Sequence, residues 1–558
     1  MKKQHGLVLF VLDMIFSIIP MNNLMIQKSV LVLILAGSAG LFWTPSRAQD
    51  LNMIGLTLLR TVTTNINGAG INVAQPEAAA PTFEVNPTAV NQPASLFLTY
   101  TSASGTATNF PNSVGSESGH ANGVGGYFYG LSGGVATNVA HVDNYDAGYF
   151  YYNIITPLIP PSINDPVVNQ SFIFCNPDWS HESVSMEQNI DSQYDDYAAQ
   201  YNTLFVSGAG NGGPTNQAQV YPPATCYNGL GVAAYGGSSC IGPTLDNGRC
   251  KPDITAPAGA TSFSTPQVAG AAALLMQAGL RGDGGNDTNS ATGPRTLKVL
   301  LLNGAVKPAN WTNANSSPLD ARYGAGVLNV FNACKQLAGG KRSYIVSTTV
   351  GTGGAHPPTG ASGTIPVLSG WDFNTNTSGK LPAQFDAVNH YYFNVTNNLP
   401  GTKYTATTTL VWNRQPNQAA INNLNLFLYN CANSNLVACS TSLVDNVEHI
   451  YVPQLAQGRY DLQVWKAGGA GIVSAAEPYA LAFEFFSETL SIVQSGTNTT
   501  LKWPVYPAGF MVESTANLVA PNWTASGLPP ASITNNMNSL KLNTTNANQF
   551  FRLRRPNF

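Results

Sequence analysis

Charge is what this chain has least of. Only 9% of its 558 residues are Asp, Glu, Lys or Arg and the formal net charge is -3, where an ordinary soluble protein is about 25% charged. No global field draws such a chain to nucleic acid or to an anionic membrane. Asn, Thr, Ser and Gly fill the surface instead, a composition that points to a β-rich extracellular protein rather than a cytosolic enzyme. No CxxC pair and no HExxH occurs, so the usual zinc frameworks are excluded and no metal site is expected. After Trp43 there is no apolar run of the roughly 20 residues a membrane span needs. Aspartate is missing altogether between Asp50 and Asp143. The cysteines number seven, so one must stay unpaired. Cys431 and Cys439 flank a hairpin loop and could pair, while the connectivity of the others is open.

Hydrophobic residues make up 44% of the chain, enough for real cores, and the length suits about two to four domains. At the N-terminus Lys28 opens a short basic region. Ser29 to Trp43 is an apolar stretch of signal-peptide length, and Ser46-Arg47-Ala48 offers a small-x-small cleavage site before Gln49. Residues 1–48 are therefore expected to be an export signal with an upstream extension, and the mature protein to be secreted, with no stable membrane insertion once the signal is removed.

Residues 49–337 mix short apolar runs with Gly-rich turns. Thr265 to Leu280 predicts a buried helix, with Pro266 in its first turn, and Thr296 to Asn303 predicts another. Strands alternating with such helices imply a mostly parallel sheet covered on both faces, an α/β domain. Residues 338–370, rich in Gly, Thr, Ser and Pro, read as a linker. From 371 to 486 the apolar period falls to two, as in Leu424, Leu426 and Leu428 and in Tyr460, Leu462 and Val464, the signature of a β-sandwich. Residues 487–558 read as a small β-module marked by Trp503, Trp523 and Phe550-Phe551.

The chemistry concentrates in the first domain. Ser262 precedes the buried helix, where backbone N–H groups and the helix dipole favour the negative charge of an attacking alkoxide or an oxyanion. One serine there would ordinarily be an N-cap; here the whole string counts. Ala260 to Gly270, ATSFSTPQVAG, resembles the GTSMATPxxAG signature of the subtilisin-like serine peptidases, the subtilases. Gly119 to Gly126, GHANGVGG, resembles their HGTHVAG motif, so that His120 falls on the catalytic histidine and Gly123 replaces the second one. Phe205 to Gly212, FVSGAGNG, resembles the AAGN segment and puts Asn211 on the oxyanion asparagine. Gly134-Val135-Ala136, Lys251 to Pro257 and Tyr323 to Asn329 resemble three further family segments, and the likeness spans about 65–337.

The acid departs from the family. Gly68 to Glu77, GAGINVAQPE, is similar to the strand that normally ends in the triad aspartate, and Glu77 stands where that aspartate belongs. A glutamate can accept the Nδ1–H of His120, fix its tautomer and stabilise the imidazolium. Glu117 and Asp143 are rivals that lie on no matching strand. The GxSxG string at Gly130-Leu131-Ser132-Gly133-Gly134 imitates a nucleophile elbow, but no helix is expected after it.

The resemblance implies a serine endopeptidase acting on a protein or peptide substrate, with Glu77, His120 and Ser262 as triad, Asn211 in the oxyanion hole, Ser171 and Phe172 on the substrate-binding strand, and no cofactor. The competing reading is a catalytically degenerate exported binding or adhesion protein on the same scaffold. Residues 371–486 resemble a bacterial prepeptidase C-terminal β-domain. Asn423 and Asn425 replace its usual aspartates, which argues against calcium. These β-domains leave room for contact with a surface or polysaccharide.

Overall fold

The computed structural model describes residues 31–32, 47–79, 81–93, 98–109, 117–212, 219–396, 401–487, 490–496, 498–504, 510–519, 521–525, 528–534, 537–543 and 549–554. The first domain is built on an eight-stranded sheet. Its strands lie in the order Ile254–Pro257, Leu230–Tyr235, Leu204–Gly208, Val167–Gln170, Asn72–Ala74, His141–Tyr145, Leu98–Thr101 and Ala107–Asn109. All neighbours are parallel except the last pair. The inner strands Val167–Gln170 and Leu204–Gly208 are buried from end to end, and Val167, Val168, Leu204, Val206 and, on the next strand, Val232 are fully covered. This is what a parallel sheet with helices on both faces demands.

Helix Thr261–Leu280 runs through the middle of this domain. Its small residues let neighbours approach closely: a Cβ on Gly270 would lie 2.6 Å from the Cβ of Val135. The helix begins four residues earlier than the sequence suggests, so Pro266 lies inside it rather than in its first turn. The second expected helix is present as Pro294–Gly304. A further helix, Val184–Tyr201, covers the sheet with its Ile190, Tyr194 and Tyr197 face.

Antiparallel sheets make up the C-terminal part. A five-stranded and a four-stranded sheet enclose a core of Tyr391, Phe393, Leu410, Trp412, Leu426, Leu462, Leu481 and Phe483. The stretch 338–370, expected as a linker, differs: Val346–Gly351 pairs with Phe385–Val395 and Ile365 enters the sandwich core. Its residues alternate between half-buried and exposed, so an edge strand of Ser and Thr has the composition of a linker. The sandwich is also continuous with the first domain, since Trp371, Val411, Val447, Ala480 and Ala482 join the core around helix Thr261–Leu280. Last comes a small module packed around Leu501, Trp503, Val512 and Leu540.

Most of the expected export signal lies outside the described residues. Within it, Leu31–Val32 pairs antiparallel with Ile173–Phe174, and helix Arg47–Met53 starts inside the expected cleavage site. No helix among the described residues is long and apolar enough to cross a membrane. All seven cysteines are free thiols, Cys431 and Cys439 included.

Candidate active site

Ser262 lies in the first turn of helix Thr261–Leu280 and is 6% exposed. The N-cap position is Ala260, which has no side chain to cap with. Asn211 does that work from another loop, because its Oδ1 accepts from both the Thr261 N–H and the Thr261 hydroxyl at 2.8 Å. The proline explains a second contact. Pro266 has no N–H to offer the carbonyl one turn back, which belongs to Ser262. Ser171 supplies the missing donor, its hydroxyl reaching the Ser262 carbonyl at 3.0 Å. Asn169 in turn donates to the Ser171 hydroxyl at 3.1 Å. The serine backbone is thus tied to the strand Val167–Gln170, which ends just before Ser171.

His120 opens helix Gly119–Phe128, whose N-cap Ser118 accepts from the Ala121 N–H. Its Nδ1 lies 2.8 Å from Oε2 of Glu77, a carboxylate 2% exposed. Glu77 continues the central strand: its N–H donates to the Tyr145 carbonyl and its own carbonyl accepts from Ala147. The carboxylate therefore sits at the carboxyl end of the sheet, where open α/β folds place their ligands. Burial lowers the pKa of the His120 imidazole, but the charge and hydrogen bond of Glu77 outweigh it and the net shift is upward. The other ring nitrogen, Nε2, is buried and has no hydrogen-bond partner among the described residues.

The two helices meet through Phe263, the residue after Ser262. Its ring lies 6.0 Å from that of His120 and 5.6 Å from that of Tyr127. A Cβ on Gly123 would come within 2.8 Å of Phe263 Cε1. The Phe263 ring thus fills the space that a side chain at 123 would need.

Gly210, before Asn211, has φ +99°, and a Cβ there would lie 2.9 Å from the Tyr221 ring and 3.1 Å from Cys240 Sγ. Cys240 pins this loop, donating from its N–H to the Gly210 carbonyl and accepting the Gly212 N–H on sulfur at 3.1 Å. With Oδ1 of Asn211 committed to Thr261, the amide nitrogen is the end left to act as a donor.

Five of the six expected residues therefore belong to one neighbourhood: Glu77, His120, Asn211, Ser171 and Ser262. Phe172 is 3% exposed and packs in an aromatic cluster with Phe174, Tyr151 and Tyr194. The rivals lie elsewhere. Asp143 pairs with His141 and Glu117 accepts from Asn86. Ser132 is an exposed turn residue held by Asn91. Sequence reasoning missed Gln75, which donates to Glu77, as well as Phe263 and Cys240. The signal for Gln75 was an amide directly after the apolar pair Val73-Ala74.

Residues 97–326 match the sequence model of the family described as the Subtilase family. No curated protein matches the chain. Similar solved structures include the prenylagaramide maturation protease PagA, 18% identical over 53% of this chain and 100% of that one, with a TM-score of 0.30. A protease of Pseudoalteromonas arctica is 18% identical over 52% of this chain and 98% of its own, TM-score 0.35. The PatG macrocyclase in complex with peptide is 16% identical over 52% and 97%, TM-score 0.36.

Proposed function

Because residues 97–326 match the Subtilase family model, we propose that this chain is an exported serine endopeptidase in which Glu77, His120 and Ser262 form the triad and Asn211 the oxyanion hole. One observation carries the reading: the Glu77 carboxylate is 2.8 Å from His120 Nδ1 while Nε2 of the same ring has no partner among the described residues. A carboxylate on Nδ1 keeps the proton there and leaves Nε2 basic, the tautomer a general base needs.

In the proposed reaction the scissile carbonyl sits over the N-terminus of the serine helix. The Ser262 hydroxyl attacks the carbonyl carbon as Nε2 of His120 takes its proton. The new oxyanion accepts from the Asn211 amide and the Ser262 N–H, donors already oriented by the Thr261 clamp. Glu77 stabilises the imidazolium without taking its proton. The imidazolium then protonates the leaving amine, the C–N bond breaks, and water repeats the sequence to release the acyl group. Ser171 acts on the same serine from behind by holding its carbonyl. A binding protein on a degenerate scaffold would need neither the buried Glu77–His120 pair nor the Asn211 clamp.

The test is hydrolysis of casein by the full chain and by Ser262→Ala. The reading expects the variant to lose activity, and is wrong if the variant digests casein as the parent does. Export is part of the proposal, supported by Lys28, the apolar stretch Ser29 to Trp43 and the low charge. N-terminal sequencing of protein from the medium should then begin at Gln49; protein retained with Met1 or Met25 at its start would refute export.

A further inference from the structure

A glutamate in place of the triad aspartate brings one more rotatable bond, and an imidazole partner that can swing fixes no tautomer. The structure supplies a brace. Glu77 Oε2 meets His120, and Oε1 accepts from Nε2 of Gln75 at 2.9 Å. The same Nε2 donates its second hydrogen to the Ala121 carbonyl at 3.1 Å, in the turn that carries His120. Gln75 Oε1 accepts from the Tyr129 hydroxyl at 2.9 Å. We propose that Gln75, oriented by Tyr129, is the positioning residue that makes Glu77 competent, because its one amide group holds both the carboxylate and the helix turn that carries the histidine. This inference rests on the peptidase reading above.

The orientation of the amide is determined by its surroundings. Flipped, it would set its oxygen against the Glu77 carboxylate and the Ala121 carbonyl, three acceptors with no hydrogen among them. The Tyr129 phenol stays protonated, since burial and then the Glu77 charge hold its pKa well above the ordinary value. Its place against the helix is kept open by Gly125, where a Cβ would stand 2.9 Å from the Tyr129 hydroxyl. The Gln75 backbone is fixed as well, its N–H on the Asp143 carbonyl and its carbonyl on the Asn144 amide, each at 2.8 Å. Gln75 and Tyr129 are both 0% exposed. Neither is open to a substrate, so any influence on the reaction passes through Glu77 and the turn that carries His120.

Among the described residues Glu77 is the charged group that acts on His120, and it raises a pKa that burial lowers. If the brace is removed and the carboxylate swings, burial is left to act alone. The imidazole then loses its proton at lower pH, and the base is neutral sooner but poorly directed. A purely structural amide would not move that titration.

The experiment measures the rate at which a fluorophosphonate labels Ser262 in the full chain, as a function of pH, for the parent, Gln75→Met and Tyr129→Phe. Gln75→Met keeps the volume and removes the donor. It should label about 10–100-fold more slowly, the cost that losing an orienting partner of a ligand residue has in metal sites, with the rise in rate shifted to lower pH. Tyr129→Phe should move both quantities in the same direction by less. The proposal is overturned if folded Gln75→Met labels with the parent's rate and pH profile. Should Gln75→Met fail to fold, Tyr129→Phe decides, and an unchanged rate and profile overturn it. If the parent is not labelled on Ser262 at all, the peptidase reading fails instead.

Discussion

Arg414 joins the β-sandwich to the first domain, and replacing it with methionine should destabilise the protein in a pH-dependent way. The guanidinium is buried and reaches Asp195 Oδ2 at 3.1 Å, Asp196 Oδ1 at 3.2 Å and the Ser192 carbonyl at 2.8 Å. Asp196 is one-third exposed and its pair contributes about 0–1 kcal/mol. Asp195 is fully buried, and stranding a buried charge costs about 3–5 kcal/mol. The Asn228 N–H stays on Asp195 Oδ1 at 2.7 Å, so the lower end, about 3 kcal/mol, is expected. Burial already raises the Asp195 pKa and Arg414 opposes it; without Arg414 it rises further. An aspartate that holds its proton more tightly folded than unfolded makes stability fall as pH rises above the unfolded value of about 3.9. Urea unfolding of Arg414→Met should therefore lose about 3 kcal/mol at pH 8 and clearly less at pH 5. A loss under about 1 kcal/mol at pH 8, or an equal loss at both, would refute the reasoning.

Other substitutions probe the site itself. Asn211→Ala removes the proposed side-chain oxyanion donor and the Thr261 clamp, and should lower kcat on casein by about 100–1,000-fold with little change in KM; a loss confined to KM would contradict the role. Glu77→Gln keeps the shape but takes the charge from His120, so kcat should fall by up to about 10,000-fold. The acid limb of its pH profile should move to lower pH because burial then acts alone on the imidazole; an unmoved limb counts against the pair. Gly123→Ala forces a Cβ to 2.8 Å from the Phe263 ring and should cost about 1–3 kcal/mol. Combined with Phe263→Ala the cost should fall, giving a coupling of at least about 0.5 kcal/mol in a double-mutant cycle; strict additivity would mean that the two positions are independent.

The strings of the proposed site were legible because the local setting of each residue lies in one short run. Ser262 stands at a helix start with small neighbours, Asn211 in a glycine turn and Glu77 past a strand end, and each of these settings is written locally. What could not be read is whatever depends on distant partners. Gln75 gains meaning only beside Tyr129 and Ala121. Gly123 appeared as a damaged motif until Phe263 was found in its place. The role of Ser171 follows from Pro266, whose missing N–H leaves the Ser262 carbonyl open. The strand Val346–Gly351 escaped notice because Ser and Thr on an exposed edge have the composition of a linker. The union of the sandwich with the first domain was hidden for a similar reason, since Trp371 and Val447 follow ordinary strand alternation and nothing local says which core they enter.

The most direct test of the account is to treat the folded protein with a fluorophosphonate and find the modified residue by peptide mass mapping. The account predicts a single adduct on Ser262, lost when His120 is replaced by alanine. No adduct, or one on another serine such as Ser132, would contradict it.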